Sequence, residues 1–246
     1  MSDLTLAKQY IKEAKYIVII SGAGISTPSG IPDIRSANGA ANNKDLFKKY
    51  GYSYETIVSH TFFMRKTEEF YRYYKEQMIF KNASPNIAHK YIADLENSHK
   101  VTVITQNIDG LHIKAGSKDV VEFHGSVLRN TCLECGKHFS LDYVMAHKGV
   151  PHCDECGGII KPDVVLFEEG IDEYAISHSL EALSKADLLI VIGSSLNVYP
   201  AAGLVPYFKG DKSILINRDQ TPLDYLFKIV IHDDIINVIK EFNNGK

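Results

Sequence analysis

The four cysteines of the chain all lie within one stretch of 25 residues. They form two C-x2-C pairs separated by seventeen residues, Cys132 with Cys135 and Cys153 with Cys156. A C-x2-C turn can hold two sulfurs about 2.3 Å from one ion, and a second turn completes a tetrahedron. Since four thiolates leave no open coordination position, this spacing predicts a structural zinc ion. Four unrelated buried cysteines or a single redox pair would leave the doubled spacing unexplained.

Small and polar residues follow four apolar runs, where buried strands would end. The runs 16–20, 101–104, 188–192 and 214–216 lead into residues 21–26, 105–109, 193–195 and 217–219. In an open α/β sheet, ligands bind outside the carboxyl ends of the strands. Gly22 and Gly24 after the first run suggest a close approach to a phosphate. An ordinary strand-to-helix turn explains these glycines equally well, because the next glycine is only Gly30.

His124 lies directly before Gly125 and near this predicted cleft. A lone histidine is more often structural than functional. A histidine beside a ligand cleft is nevertheless a good candidate for a general base, because its pKa lies close to neutral pH.

Strand-like and helix-like segments alternate along most of the chain, which predicts an α/β fold with a parallel sheet and helices on both faces. Two stretches interrupt the alternation: a polar, aromatic, helical one and the one with the cysteines. We expect a large lobe from residues 1–33, 83–127 and 163–246. The smaller lobe should combine a helical module at 34–82 with a zinc module at 128–162.

The charge balance excludes some broad classes of protein. The 246 residues carry 27 basic and 30 acidic side chains, a net charge of −3, which disfavours general binding to nucleic acid or a membrane surface. The first fifteen residues contain no continuous apolar run of the signal-peptide kind. We therefore expect a soluble, cytoplasmic protein, and we expect it to be a monomer.

Taken together, these motifs resemble those of the sirtuins, a family of NAD-dependent protein deacylases. The resemblance extends over about residues 15–235. The motifs, in order, are GAGIS at 22–26, IPDIR at 31–35, TQNIDGLH at 105–112, HG at 124–125, the two C-x2-C pairs and GSS at 193–195. The resemblance implies a Rossmann-like parallel sheet of inverted order and a smaller lobe with a zinc-binding module and a helical module. It also implies NAD as cosubstrate, one structural Zn²⁺, and acyl-lysine peptides or proteins as substrates.

The resemblance also assigns roles to individual residues. His124 would be the general base that takes a proton from a ribose hydroxyl, with Asn107 and Asp109 orienting water and ribose. The residues implied to bind NAD are Gly22, Ala23, Gly24, Ser26, Thr27, Asp33, Ile34, Arg35, Gln106, Asn107, Ile108, Asp109, His124, Gly193, Ser194, Ser195, Asn217, Arg218 and Asp233. The residues implied to contact the peptide are Val165, Leu166, Phe167, Asn197, Val198, Tyr199 and Tyr71, most of them through strand pairing.

The chain departs from the family pattern at several positions. Ile34 replaces the usual Phe of the cofactor loop, and Glu168 replaces the usual Gly between Phe167 and Glu169. Relatives that remove acidic acyl groups carry Tyr and Arg three residues apart, whereas this chain has Tyr71 and Tyr74. A succinyl or malonyl carboxylate would lack its bidentate partner, which favours acetyl or longer neutral acyl groups.

Two other functions remain compatible with parts of the sequence. One is mono-ADP-ribosyl transfer, against which the presence of His124 counts. The other is a non-catalytic module that binds NAD or zinc, which would leave the polar cluster at 106–109 unexplained.

Overall fold

Nine strands and ten α-helices are found in the part of the chain that the structure, a computed structural model, describes. This part comprises residues 2–33 and 39–244, with side chains from residue 44 onward in the second range. The strands are β1 Tyr16–Ser21, β2 Lys100–Thr105, β3 Val120–Glu122, β4 Gly125–Cys132, β5 His138–Ser140, β6 Ile160–Val164, β7 Leu188–Ile192, β8 Lys212–Ile216 and β9 Ile229–Ile231. The helices are α1 Asp3–Glu13, α2 Gly39–Tyr50, α3 Tyr54–Ile57, α4 His60–Arg65, α5 Thr67–Tyr73, α6 Ile87–Leu95, α7 Leu111–Ala115, α8 Leu141–Ala146, α9 Glu173–Lys185 and α10 Ile235–Asn243.

Six strands form one sheet in the order β3-β2-β1-β7-β8-β9, and all of its pairings are parallel. Read from the β3 edge, this is the 3-2-1-4-5-6 order of the dinucleotide-binding fold. The predicted α/β class and Rossmann-like parallel sheet are confirmed. The order reverses between β1 and β7, so a crevice is expected outside the carboxyl ends of these two strands.

The sheet is buried on both faces because successive side chains of a strand point to opposite sides. In β1, Ile17 and Ile19 pack into one core with helices α1, α6 and α10. Val18 and Ile20 pack into a second core with helix α9 and residues 201–205. This explains why β1 and β7 appear in the sequence as continuous apolar runs.

Short polar side chains fix where the main helices of the large sheet begin. Ser2, Asn86, Asp172 and Asp234 are the N-caps of α1, α6, α9 and α10, and each accepts a hydrogen bond from a backbone N–H of the first turn. Such a cap contributes about 1 kcal/mol by pairing an N–H that has no partner within the helix.

The segment between β7 and β8 contains a 3-10 helix, Ala201–Tyr207, and no α-helix. Pro206 lies inside it and lacks the N–H that an α-helix requires, and Gly203 lowers helix propensity further. No helix of the described residues is long and apolar enough to cross a membrane.

The two segments that interrupt the alternation share a third core. An antiparallel sheet, β5-β4-β6, packs against aromatic side chains of helices α4 and α5. Phe63, Phe70, Tyr71 and Tyr74 are completely buried there and meet mainly edge to face, with Phe70 and Tyr74 stacked. The sequence pattern showed little periodicity at 128–162, and it did not predict this sheet.

The loops after β1 and β7 cross with almost no space between their backbones. The Gly24 N–H donates to the Gly193 carbonyl oxygen at 2.8 Å. A Cβ on Gly22 would come within 2.7 Å of that same oxygen, and one on Gly193 would come within 2.4 Å of the Ile25 nitrogen. Gly193 also has φ +63°, in the left-handed region. These glycines therefore permit the crossing itself.

We expect Gly193→Ala to lower the free energy of unfolding by about 2–4 kcal/mol, because it adds both a left-handed backbone penalty and a steric overlap. Gly51→Ala is the matched control, since Gly51 has φ +79° but no atom within 4 Å of an added Cβ. The control should lose only about 1–2 kcal/mol. Urea denaturation measures both values, and equal losses in the two variants would contradict the steric argument.

Candidate functional site

A cavity of about 370 Å³ lies outside the carboxyl ends of β1, β2, β3 and β7 and is closed on one side by the small lobe. Its position is the one expected from the reversal of strand order. Most of the predicted ligand residues line it. They are Gly22, Ala23, Ser26, Asp33, Gln106, Asn107, Ile108, Asp109, His124, Val165, Leu166, Phe167, Gly193, Ser194, Ser195, Val198 and Tyr199.

Other predicted residues lie outside this lining. Gly24 packs against the Gly193 backbone, and the Thr27 hydroxyl donates to the Gly24 carbonyl oxygen. Asn217 and Arg218 follow β8, where they contact Asp219. Asn197 and Asp233 are also absent from the lining. Ile34 and Arg35 lie outside the described residues.

Tyr71 does not contact the cavity, which corrects the expectation that it touches the substrate. Its side chain is completely buried in the third core, and its hydroxyl donates to the Ile160 carbonyl oxygen. Tyr74, which follows at the position of the expected Arg, is equally buried. The two tyrosines hold α5 against β4 and β6. Burial raises the pKa of both hydroxyls well above the usual value for tyrosine.

The helical module supplies cavity residues that the sequence did not single out, among them Tyr54, Val58, Gln77, Met78 and Phe80. The positions of these residues in the sequence form no recognisable motif, because packing within the small lobe brings them to the cavity. The cavity wall also includes Glu168 and Glu169, which the sequence marked only as a departure from the family pattern.

Asn107 ties the loop after β2 to the loop after β1. Its side-chain amide donates to the Gly22 carbonyl oxygen at 3.0 Å and to the Ser26 Oγ at 3.1 Å. Ser26 in turn donates to the Asp109 carboxylate at 2.7 Å. The Leu111 N–H donates to the other Asp109 oxygen at 2.9 Å. The positions of Asn107 and Asp109 are therefore set by bonds within the protein before any ligand binds.

A buried polar cluster supports the backbone of Asn107 from below. The Asn107 N–H donates to the Thr105 hydroxyl, which also accepts from Ser21. Ser21 Oγ lies 2.8 Å from His112 Nε2. Because the Ser21 hydrogen is used on Thr105, His112 must carry its proton on Nε2. Burial, with a smaller effect from the nearby His89, lowers the pKa of His112 to about 3, so the ring is neutral at physiological pH.

Gln106 links the loop after β2 to the loop after β7. Its side-chain amide donates to Ser194 Oγ at 2.9 Å, and the Leu196 N–H donates to the same oxygen at 3.3 Å. A hydroxyl that accepts two bonds still has its own hydrogen to donate. Ser194 can therefore donate to an anionic oxygen in the cavity.

His124 lies two residues after the end of β3 and has a defined orientation. Its Nδ1 lies 3.0 Å from the Gln106 carbonyl oxygen, which can only accept, so Nδ1 carries the proton of the neutral ring. The nitrogen able to take a proton is then Nε2. The Val165 N–H donates to the His124 carbonyl oxygen at 2.9 Å and thereby joins this residue to the cavity wall at 165–167.

The charged groups that line the cavity suit some parts of a dinucleotide better than others. Apart from His124, the charged residues of the described lining are Asp33, Asp109, Glu168 and Glu169. Carboxylates suit the positively charged nicotinamide ring. Within this lining, a pyrophosphate would rely on hydroxyls and on the backbone N–H groups of Ala23, Ser194 and Ser195, because those of Gly22, Gly24 and Gly193 are bonded within the protein.

The four cysteines converge at one point of the small lobe. Their sulfurs all lie within 4.8 Å of one another. Cys132 Sγ is 3.4 Å from Cys156 Sγ, and Cys135 Sγ is 3.6 Å from Cys153 Sγ. A tetrahedron with zinc–sulfur bonds of 2.3 Å has sulfurs about 3.8 Å apart, so this donor set fits one zinc ion. Cys132 and Cys153 are also buried in the third core.

Comparisons with known proteins agree with this geometry. Residues 22–200 match the Sir2 family. The chain is 52% identical to an "NAD-dependent protein deacetylase" of Clostridium acetobutylicum, over 95% of both chains, and 43% identical to one of Staphylococcus epidermidis, over 99% of this chain and 98% of the other.

Two solved structures resemble the whole chain. One is "Structure of Sir2Tm bound to a propionylated peptide", with TM-score 0.86, 35% identity and coverage of 99% of this chain and 98% of the other. The second is "Sir2-p53 peptide-NAD+", with TM-score 0.85, 35% identity and coverage of 99% and 97%.

We expect the purified protein to contain about one zinc ion per chain by elemental mass spectrometry, as a four-thiolate site requires. Cys135→Ala should lose most of the metal and lower the thermal unfolding temperature, because zinc joins the two turns that carry Cys132 and Cys153 into the third core. The control is His138→Ala, whose Nδ1 is close to the Thr131 hydroxyl. Full zinc content in Cys135→Ala, or an equal loss in His138→Ala, would contradict this ligand set.

Proposed function

This chain belongs to the Sir2 family, and we propose that it is an NAD-dependent protein-lysine deacylase that moves the acyl group from lysine to ADP-ribose and releases nicotinamide. The observation that carries the proposal is the orientation of His124. Its proton-accepting nitrogen is defined by the bond to Gln106, in the same cavity as the fixed side chains of Asn107 and Asp109.

NAD, when bound, supplies a ribose whose bond to nicotinamide can be exchanged for a bond to the acyl oxygen. We assign its phosphates to the loops at 22–24 and 193–195, with Ser194 as a hydroxyl donor and Ser195 beside it. Gln106, Asn107, Ile108 and Asp109 would surround the nicotinamide and its ribose. Asn217, Arg218 and Asp233, at the ends of β8 and β9, remain proposed contacts for the adenosine, as do Thr27, Ile34 and Arg35 for the cofactor loop.

Asn107 and Asp109 would act by orientation, since their bonds to Gly22, Ser26 and Leu111 hold them without a ligand. Groups that need no rearrangement during a reaction stabilise its transition state more effectively. His124 would accept, at Nε2, the proton that a ribose hydroxyl loses as it attacks the acyl carbon. The bond from Nδ1 to Gln106 helps to stabilise the imidazolium that results.

We propose that the acyl-lysine peptide binds between two segments of the cavity wall, residues 165–167 and 197–199. Val165, Leu166 and Phe167 line the cavity, and so do Val198 and Tyr199. Tyr199 is 71% exposed, which leaves its ring available to a ligand. Main-chain pairing of this kind recognises a peptide largely independently of its sequence.

We further propose that the large lobe comprises residues 1–33, 83–127 and 163–246, and that the small lobe comprises 34–82 and 128–162. Four free thiols at metal-ligand distances suit a reducing compartment. We therefore propose a cytoplasmic monomer that acts on acylated proteins without binding nucleic acid.

We expect the wild-type protein to deacetylate an acetyl-lysine peptide only when NAD is present, with one nicotinamide released per acetyl group. His124→Ala should lower kcat about 10²–10⁴-fold, because that range is typical for the loss of a general base. Mass spectrometry of the peptide and chromatography of nicotinamide measure both products.

His178→Ala serves as the control, because His178 lies on helix α9 and pairs with Asp119. It should retain the wild-type rate. Nicotinamide release with an unchanged peptide would favour ADP-ribosyl transfer instead. No reaction with any acyl peptide would favour a binding module, and normal activity of His124→Ala would remove the assigned base.

We expect a succinyl peptide to be turned over at least about ten-fold more slowly than an acetyl peptide, in terms of kcat/KM. The described lining contains no Lys or Arg that could pair with the extra carboxylate, and Tyr74 is buried where the paired Arg would stand. A butyryl peptide, which is neutral and of similar length, is the control. Equal rates for succinyl and butyryl peptides would contradict the expected preference.

A further inference from the structure

The wall at residues 165–167 is held in place by three side chains, Lys161, Glu169 and His60, which we call the brace. The Lys161 ammonium donates to the Pro162 and Val164 carbonyl oxygens at 3.3 and 3.1 Å, and to the Glu169 carboxylate at 3.0 Å. An ammonium has three hydrogens, so each of them has an acceptor. The Lys161 side chain is only 15% exposed, so its bonding capacity is used inside the protein.

Glu169 forms hydrogen bonds with both the backbone N–H and the backbone carbonyl oxygen of Leu166. One of its carboxylate oxygens, Oε2, accepts from the Leu166 N–H at 2.9 Å and from Lys161. The Glu169 N–H donates back to the Leu166 carbonyl oxygen at 3.1 Å. Its other oxygen, Oε1, lies 2.8 Å from His60 Nδ1. Burial raises the pKa of Glu169, but the Leu166 N–H, His60 and Lys161 together outweigh that effect and keep the pKa below its usual value.

The small lobe and His124 form hydrogen bonds with the neighbouring backbone groups. The His60 N–H donates to the Phe167 carbonyl oxygen, the Phe167 N–H donates to the Val58 carbonyl oxygen, each at 3.0 Å, and the Val165 N–H donates to the His124 carbonyl oxygen. Every N–H of residues 165–167 is therefore used within the protein. In the described part of the chain, the backbone groups here that keep bonding capacity toward a peptide are the Val165 carbonyl and, just after the wall, the N–H and carbonyl of Glu168.

We propose that Glu169, supported by Lys161, is a positioning residue for the acyl-lysine peptide. It fixes Leu166 and so determines that the backbone groups on either side, at Val165 and Glu168, face the substrate. This inference rests on the deacylase function proposed above. Glu169 acts through Leu166, because both of its carboxylate oxygens are already bonded within the protein.

This role differs from general support of the fold in one measurable respect. Among the described residues, no hydrogen bond joins the brace to the side chains that fix Asn107, Asp109 and Gln106. A looser wall should therefore weaken peptide binding and leave the binding of NAD unchanged. A general loss of stability would impair both.

The test is the steady-state kinetics of Glu169→Gln with an acetyl-lysine peptide and NAD. Gln has nearly the same size but no charge, so the Lys161 ammonium loses its counter-charge. The Gln carbonyl oxygen can replace Oε2, but the amide nitrogen then offers hydrogens where Oε1 faces His60 Nδ1. We expect the KM for the peptide to rise about ten-fold, since small displacements of a positioning group have effects of this order or larger. The KM for NAD should stay within about two-fold of wild type.

Two further substitutions separate the role of the charge from simple damage to the fold. Lys161→Arg keeps a charged donor, so its peptide KM should stay within about three-fold of wild type. Lys161→Met removes the charge and should raise the peptide KM as much as Glu169→Gln does. Glu181→Gln is the control, because it removes the carboxylate of an exposed pair with Lys185 on α9. It should leave both KM values unchanged.

Four results are decisive. If wild type consumes no acetyl peptide, the proposed function fails and the brace has no substrate to position. If wild type is active and Glu169→Gln has a normal peptide KM, the positioning role is overturned. A parallel rise in both KM values, or failure of Lys161→Arg to do better than Lys161→Met, would also overturn it.

Discussion

The site depends on the close passage of two backbones where the strand order reverses. Strands β1 and β7 are neighbours, so the loops that leave their carboxyl ends must share one small volume. Gly22, Gly24 and Gly193 remove the side chains that would keep the loops apart, and one N–H···O bond of 2.8 Å joins them. The rest of the cavity is arranged around this crossing. Asn107 bonds to the Gly22 carbonyl oxygen, and Ser194 follows Gly193 directly.

A second feature of the site is that many of its polar side chains are hydrogen-bonded within the protein before a ligand binds. Asn107, Asp109, Gln106 and His124 each take part in a hydrogen bond to another part of the protein. Buried polar groups are costly when unpaired, so such a network favours one arrangement strongly over its alternatives. Pre-arranged groups of this kind cost no reorganisation during a reaction. The neutral His112 beneath them supports the network without placing a charge in the core.

A single strand of the protein, β4, connects the zinc site to the proposed general base His124. Strand β4 begins at Gly125, next to His124, and ends at Cys132. Gly125 has φ +76°, and a Cβ there would lie 1.9 Å from the Asp163 carbonyl oxygen. The turn beside His124 thus fits tightly against β6, which leads into the wall at 165–167. A four-thiolate zinc has no catalytic position, yet it holds the far end of this strand and the core around it.

The sequence alone determined the features that depend on short spacings. The C-x2-C pairs identify a zinc site because a turn of four residues brings two sulfurs together by itself. The polar segments after apolar runs predicted the cavity, because the carboxyl ends of parallel strands lie at one edge. Only the tertiary structure decided contacts between distant segments. Tyr71 lies on a helix rich in aromatic residues, and the local sequence does not show which of these residues face the cavity. Glu169 contacts His60, which is 109 residues away in the chain. Such contacts depend on how the small lobe packs against the sheet, and that packing is a property of the whole fold.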